Sequence, residues 1–236
     1  MPRTPVWKSI AATLTREIAD GLYPEGGKLP TEAALATRFG VNRHTVRRAL
    51  ADMSESGVIH TRRGAGAFVT AVPTDYAIGK RTRFHHNIEA TGKLAHKRAL
   101  RIETRPGKAT EADALGIAAG EPVTVYEGLS MSGKTVLAHF ESIFPAARLP
   151  GLAESFETIT SVTEALAQNG IADYLRRDTR ILAELASATE ALHLGIREGD
   201  PILRSVSVNI TPDGAPIEYG ITRFAGARVA LTVKTD

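Results

Sequence analysis

Residues 109–123 and 188–202 align without a gap at a spacing of 79 residues, and nine of the fifteen positions are identical. The shared residues are Ala109, Thr110, Glu111, Ala112, Leu115, Gly116, Ile117, Gly120 and Pro122, each with a counterpart in the second copy. A doubled unit restricts the fold more than any other feature of this chain, because both copies must take the same local structure. Each copy predicts a short helix ending at glycine, a turn, and a strand that opens at proline. The continuations also match. Val123 to Ser130 and Val136 to Phe144 read as one hairpin, and Ile202 to Ile210 and Pro216 to Phe224 as the other. Strands at Arg98 to Thr104 and Tyr174 to Leu185 bring the sheet to about six strands, mainly antiparallel. A helix from Ser161 to Gln168, with Ser161 and Glu164 as its capping box, packs on it. Such a doubling suggests a pocket between equivalent strands. Glu141 and Glu218, each midway along the second strand of its copy, are expected to point into it, where a ligand amine or hydroxyl would satisfy them.

Ahead of the repeat the pattern is different. Trp7, Ile10, Ala11, Leu14 and Ile18 recur at helical spacing up to Gly21. Thr31 caps a second helix with Leu35 and Phe39 facing inward, and Gly40 closes it. Asn42 caps a third. There Val46, Ala49, Leu50 and Met53 share one face, His44, Arg47 and Arg48 the other, and Arg43 sits at the start. Two short helices across a glycine turn make a helix-turn-helix, and an arginine-rich front on an apolar back suits a DNA major groove. After Gly57, Val58-Ile59 and Ala67-Phe68-Val69 flank a basic turn containing Arg62, Arg63, Gly64 and Gly66. This reads as the wing of a winged helix, placed to reach phosphates or a narrow minor groove.

Charge supports the division. Residues 1–70 hold ten Lys+Arg against six Asp+Glu, and residues 71–236 hold 19 against 20, so the basic excess lies in the N-terminal third. A hydrophobic fraction of 43% supports packed cores. The lack of cysteine excludes a disulfide scaffold and cysteine-based zinc sites, and fits a reducing compartment. With no apolar run of transmembrane length and no signal-peptide pattern, a cytoplasmic protein without a membrane partner is expected.

These residues carry a family resemblance. Leu29-Pro30-Thr31-Glu32, the run from Phe39 to Leu50, Gly57-Val58-Ile59 and the run from Arg63 to Val69 resemble the GntR superfamily of bacterial repressors. The resemblance implies operator contacts from Arg43, His44, Thr45 and Arg47 and from the wing tip at Arg63 and Gly64. Ala33 stands where many members carry an arginine. From about Lys80 to Val233 the chain resembles the UTRA effector domain of the HutC branch, with a chorismate-lyase-like fold. Asn42 to Ala49 and Arg83 to Asn87 are similar to signatures of phosphonate-metabolism regulators. That likeness implies a loop, Arg83-Phe84-His85, that offers backbone N–H groups and a guanidinium to an anionic head group, with Glu141, Glu218 and Phe224 lining the pocket. Sugar-phosphate-sensing members carry arginines where this chain reads Leu129-Ser130-Met131 and a tyrosine at Phe224, and many relatives read Arg-Gly-Asp where it has Ala225-Gly226-Ala227. These departures favour a smaller ligand, such as a phosphonate or another small anion.

Three other patterns point elsewhere. Gly128 to Thr135 matches the P-loop pattern, but the residues after it read as strand and not as the helix a P-loop needs. His85-His86 has no third ligand at helical spacing, so no metal is expected there. No nucleophile elbow or Ser/His/Asp set is evident. The expected protein is α+β and not an enzyme. Residues 1–71 form a winged helix-turn-helix, 72–80 a linker, and 81–236 an effector-binding and dimerisation domain. Its expected partners are a double-stranded, two-fold symmetric DNA operator, a small-molecule effector and a second copy of the chain, with no cofactor. The alternatives are a HutC-type sensor of a sugar, amino acid or histidine-pathway compound, an enzyme of chorismate-lyase-like fold fused to a DNA reader, and a scaffold with a basic patch.

Overall fold

The computed structural model describes residues 5–62, 64–70, 73–81, 83–89 and 95–233, and the chain divides into two compact units, 1–72 and 73–236. The first unit has three helices, α1 (Val6–Ala19), α2 (Glu32–Phe39) and α3 (Arg43–Glu55), then a hairpin of β1 (Ile59–Arg62) and β2 (Gly66–Val69). Thr31 accepts a hydrogen bond from the Ala34 amide at 3.2 Å, and Asn42 one from the Thr45 amide at 2.8 Å, so both predicted caps form. Gly40 lies between these helices at φ 63°, the left-handed conformation that a sharp helix end requires. Leu14, Leu35, Val46 and Met53 are fully buried together with Ile59 and Val69. Burying each such side chain contributes roughly 1.5–3 kcal/mol, which stabilises three short helices that would not persist alone.

The second unit is built on a six-stranded antiparallel sheet with strand order β4-β5-β6-β9-β8-β7. The strands are β4 (Ala95–Pro106), β5 (Pro122–Ser132), β6 (Thr135–Pro145), β7 (Leu175–Leu185), β8 (Pro201–Ile210) and β9 (Pro216–Ala225). The first repeat supplies one half and the second the other, and they meet where β6 pairs with β9. Helices α5 (Ala109–Leu115) and α8 (Ala188–Leu194) are the two copies of the repeated helix. Both end at a left-handed glycine, Gly116 and Gly195. They pack against β6 and β9 on one face of the sheet.

The other face carries α6 (Leu152–Thr158) and α7 (Val162–Gln168), packed through Tyr126, Phe140, Phe144, Phe156 and Leu166. Residues 74–78, expected within a linker, form a strand instead. This β3 (Thr74–Ile78) pairs in parallel with the last strand, β10 (Val229–Val233), because Thr74 and Val229 are buried and the two backbones satisfy each other. Of the loop expected at Arg83-Phe84-His85, Phe84 and His85 instead open the short helix α4 (Phe84–Glu89), with Ile88 buried beside Phe224 and Val229. Gly128 to Thr135 spans the β5–β6 turn with no helix after it, as its strand pattern predicts.

Candidate functional site

In the first unit, α3 presents Arg43, His44, Arg47 and Arg48 on its exposed side. Arg47 reaches back to α2 and donates two hydrogen bonds to Glu32, at 3.1 and 2.7 Å. That fork fixes the guanidinium's direction, and it holds the Glu32 carboxyl below its ordinary range. The Thr45 hydroxyl is bound to Asn42 at 2.9 Å. Arg48 departs from the other three, because its guanidinium lies 4.7 Å from the Trp7 ring and so faces α1. A groove of about 940 Å³ runs between α3 and the wing, lined by Thr31, Arg47, Arg62, Gly64 and Gly66 among others. Arg62 stacks over Phe68 at 5.1 Å, and the Leu29 amide donates to Ala67 at 2.9 Å, which ties the wing to the loop before α2. Gly66 has φ 105°, and a Cβ there would press on Lys28 Cε at 3.1 Å. Arg63 lies outside the described residues.

In the second unit a cavity of about 340 Å³ opens on the sheet face that carries α6 and α7. Three cationic side chains line it, Arg83, Lys97 and Arg176, together with one carboxylate, Glu218. Glu218 is buried and accepts from Ser142 Oγ at 2.7 Å and from Asn209 Nδ2 at 2.6 Å. Asn209 in turn accepts from Arg176 Nε at 2.7 Å, so carboxylate, amide and guanidinium form one chain. Arg83 donates to Asp173 at 2.9 Å and lies over the Tyr174 ring at 4.7 Å, while its buried Nε has no hydrogen-bond partner among the described residues. Arg81, also bound to Asp173 at 2.6 Å, and Arg83 together pull that carboxyl down to about 2. Lys97 Nζ sits 4.3 Å from the Phe140 ring, and burial pulls its ammonium down to about 8. Tyr76, Phe84 and Phe224 complete the wall, with Tyr76 and Phe224 ring centres 5.0 Å apart.

Of the sequence-predicted effector residues, Arg83, Phe84, Glu218 and Phe224 line this cavity and Glu141 does not. Phe140 and Ser142 face the cavity, so Glu141 between them projects from the opposite face, where it accepts from Arg223 at 2.8 Å. The pairing of Glu141 with Glu218 fails on register. Val123 pairs with Pro145 and its counterpart Ile202 with Ala225, so the second strands correspond at 80 residues (225 − 145). Glu141 and Glu218 differ by 77, an odd three residues out of step, and an odd offset changes the face. The His85 side chain lies outside the described residues.

Sequence reasoning missed Lys97, Ser142, Arg176 and Asn209. The one available signal was Asn209 itself, a polar residue within the strand run from Val206 to Ile210.

Comparison with known proteins agrees with both units. Residues 7–69 match the family of bacterial regulatory proteins called gntR, and residues 90–230 match the UTRA domain. The chain belongs to the GntR family of transcriptional regulators, with a UTRA effector domain. It is 36% identical to an uncharacterised helix-turn-helix regulator of Rhizobium meliloti (strain 1021), over 98% of this chain and 95% of that protein. It is 33% identical to the probable transcriptional regulator PhnF of Escherichia coli (strain K12), over 97% of this chain and 94% of that one. The crystal structure of PhnF from Mycobacterium smegmatis matches it with a TM-score of 0.66 at 26% identity, covering 96% of this regulator and 99% of the other. This regulator is therefore a DNA-binding protein whose second unit is of a small-molecule-sensing type.

Proposed function

We propose that this regulator is a homodimeric repressor, and that the cavity under α6 and α7 takes a small anion that also carries an amine or hydroxyl. The observation behind this reading is the charge set of the cavity: among the described residues three cations line it, Arg83 brings a buried Nε without a hydrogen-bond partner, and one buried carboxylate faces them. A phosphonate or phosphate group would bind the guanidiniums bidentately, and an amine would complete Glu218, two of whose acceptor positions are already used. An aminoalkylphosphonate meets both requirements, and the likeness to PhnF supports that choice. One α3 reads only a few base pairs, so a two-fold symmetric operator needs two copies of the chain. The relatives are transcriptional regulators, which favours a sensor over a catalyst.

Calorimetric titration of the full chain with 2-aminoethylphosphonate, methylphosphonate, inorganic phosphate and glucosamine 6-phosphate tests the ligand class. The aminophosphonate should bind at least tenfold more tightly than the other three and should change operator affinity at fixed salt. Equal binding of methylphosphonate would remove Glu218 from recognition, and preference for the sugar phosphate would favour a HutC-type sugar sensor. Arg47→Ala should lose operator preference and keep ligand binding; an unchanged preference would displace the reading face.

A further inference from the structure

The sheet face opposite the cavity carries a polar cluster that neither DNA reading nor effector binding uses. Glu127 on β5, His139 on β6 and His193 on α8 each bring one donor atom within 4.8 Å of the other two. Glu127 Oε1 is 2.8 Å from His139 Nε2, and its other oxygen accepts from Arg101 Nε at 2.8 Å. The two imidazoles meet edge to face with ring centres 4.4 Å apart. His139 is only 5% exposed. The Nδ1 atoms of both histidines are buried, and neither has a hydrogen-bond partner among the described residues. The three residues come from three different elements, and one donor atom of each lies close enough to the others to share an occupant.

We infer that His139, His193 and Glu127 form a site for a transition-metal dication of the zinc class. Two imidazoles and a carboxylate are a frequent three-ligand set for such ions, with a fourth position left to water. Donors held at 2.0–2.1 Å in tetrahedral geometry lie about 3.3 Å apart, so the 2.8 Å His139–Glu127 contact is already close to the required bite. With its proton on Nδ1, His139 would offer Nε2 to the ion beside Glu127 Oε1, and His193 would add one nitrogen.

Each nearby arginine is shared between two carboxylates, which moderates its repulsion of the ion. Arg101 lies between Glu103 and Glu127, at 2.6 and 2.8 Å, and Arg223 between Glu141 and Glu190, at 2.8 Å each. Magnesium is disfavoured, because it demands oxygen ligands and octahedral geometry. The site would clip β5 and β6 of the first half to α8 of the second, beneath the strand whose other side forms the cavity floor.

The test uses the full chain after chelator treatment, titrated near neutral pH with zinc, cobalt(II) and magnesium chlorides. One zinc or cobalt ion per chain should bind with micromolar or tighter affinity, with visible tetrahedral cobalt bands and a higher melting temperature. Magnesium should do none of this. His193→Gln and Glu127→Gln, the less buried ligands, should each weaken cobalt binding at least tenfold while circular dichroism and operator binding stay as in the parent. Absence of stoichiometric binding overturns the site. So does binding that survives in either folded variant, which would place the ion elsewhere. If one variant misfolds, the other decides.

Discussion

The two faces of the six-stranded sheet are made from the same strands and hold opposite kinds of chemistry. On the cavity face, cations are left with spare donors: the Arg83 Nε has no hydrogen-bond partner among the described residues and Lys97 is held over rings. On the back face cations are consumed, with Arg223 between Glu141 and Glu190 and Arg105 bound to Glu111 at 2.7 and 2.8 Å. Glu141 and Glu218 lie on neighbouring strands and differ only in which side they point to. Glu141, bound to Arg223 and aimed away from the cavity, is out of reach of its ligand, whereas Glu218, held there by neutral donors, keeps its charge for it. Side-chain parity, more than residue type, assigns the roles.

The largest expected effect tests whether the cavity face also carries the unit's stability. Phe144, fully buried against Phe156, should cost about 3–5 kcal/mol when changed to alanine, read by denaturant unfolding, while Leu192→Ala on the exposed back of α8 should cost under about 0.5 kcal/mol.

Arg83→Ala and Glu141→Gln separate the faces by function. Loss of a charged donor should weaken anion binding by about 1.5–3 kcal/mol, or roughly ten- to a hundredfold, and Glu141→Gln should leave affinity within about twofold. Equal losses would put Glu141 back among the ligand-binding groups. The pH dependence comes next. Lys97 is charged below about 8, so anion affinity should fall as pH rises through 8, and Lys97→Gln should flatten that profile. Stability moves the other way. The depressed folded pKa means that the unfolded chain binds more protons between about 8 and the ordinary lysine value, so stability should rise across that window.

The smallest effect lies in the first unit. Asn42→Ala removes a cap that accepts from both the amide and the hydroxyl of Thr45, and should cost about 1 kcal/mol.

The strands, the repeated helices and both caps of the helix-turn-helix were legible because each rests on a local signal: period two, a glycine at the helix end, a Thr or Asn before the first turn. The repeat gave four of the six strands, as two hairpins. It did not give the sheet face of Glu141, because the second strands are out of step with the first by one residue, and that offset arises in turns of unequal length. Arg83 was legible by resemblance, yet its neighbours Asp173 and Tyr174 lie some 90 residues away and meet it only in the folded unit. Lys97 and Arg176 were not legible, since a lysine or arginine in an edge strand ordinarily faces water. The parallel pairing of β3 with β10 was also hidden, because residues 74–78 are too short and too polar to declare a strand before a partner is present.

That pairing has a mechanical consequence. Tyr76 stands on β3 and also forms part of the cavity wall against Phe224, and only four residues separate Val69, the end of the wing, from Thr74, the start of β3. The cavity wall and the β3–β10 pairing therefore share a residue. A molecule that displaced Tyr76 would strain that pairing, and removing β10 would loosen the wall whether or not the cavity is filled.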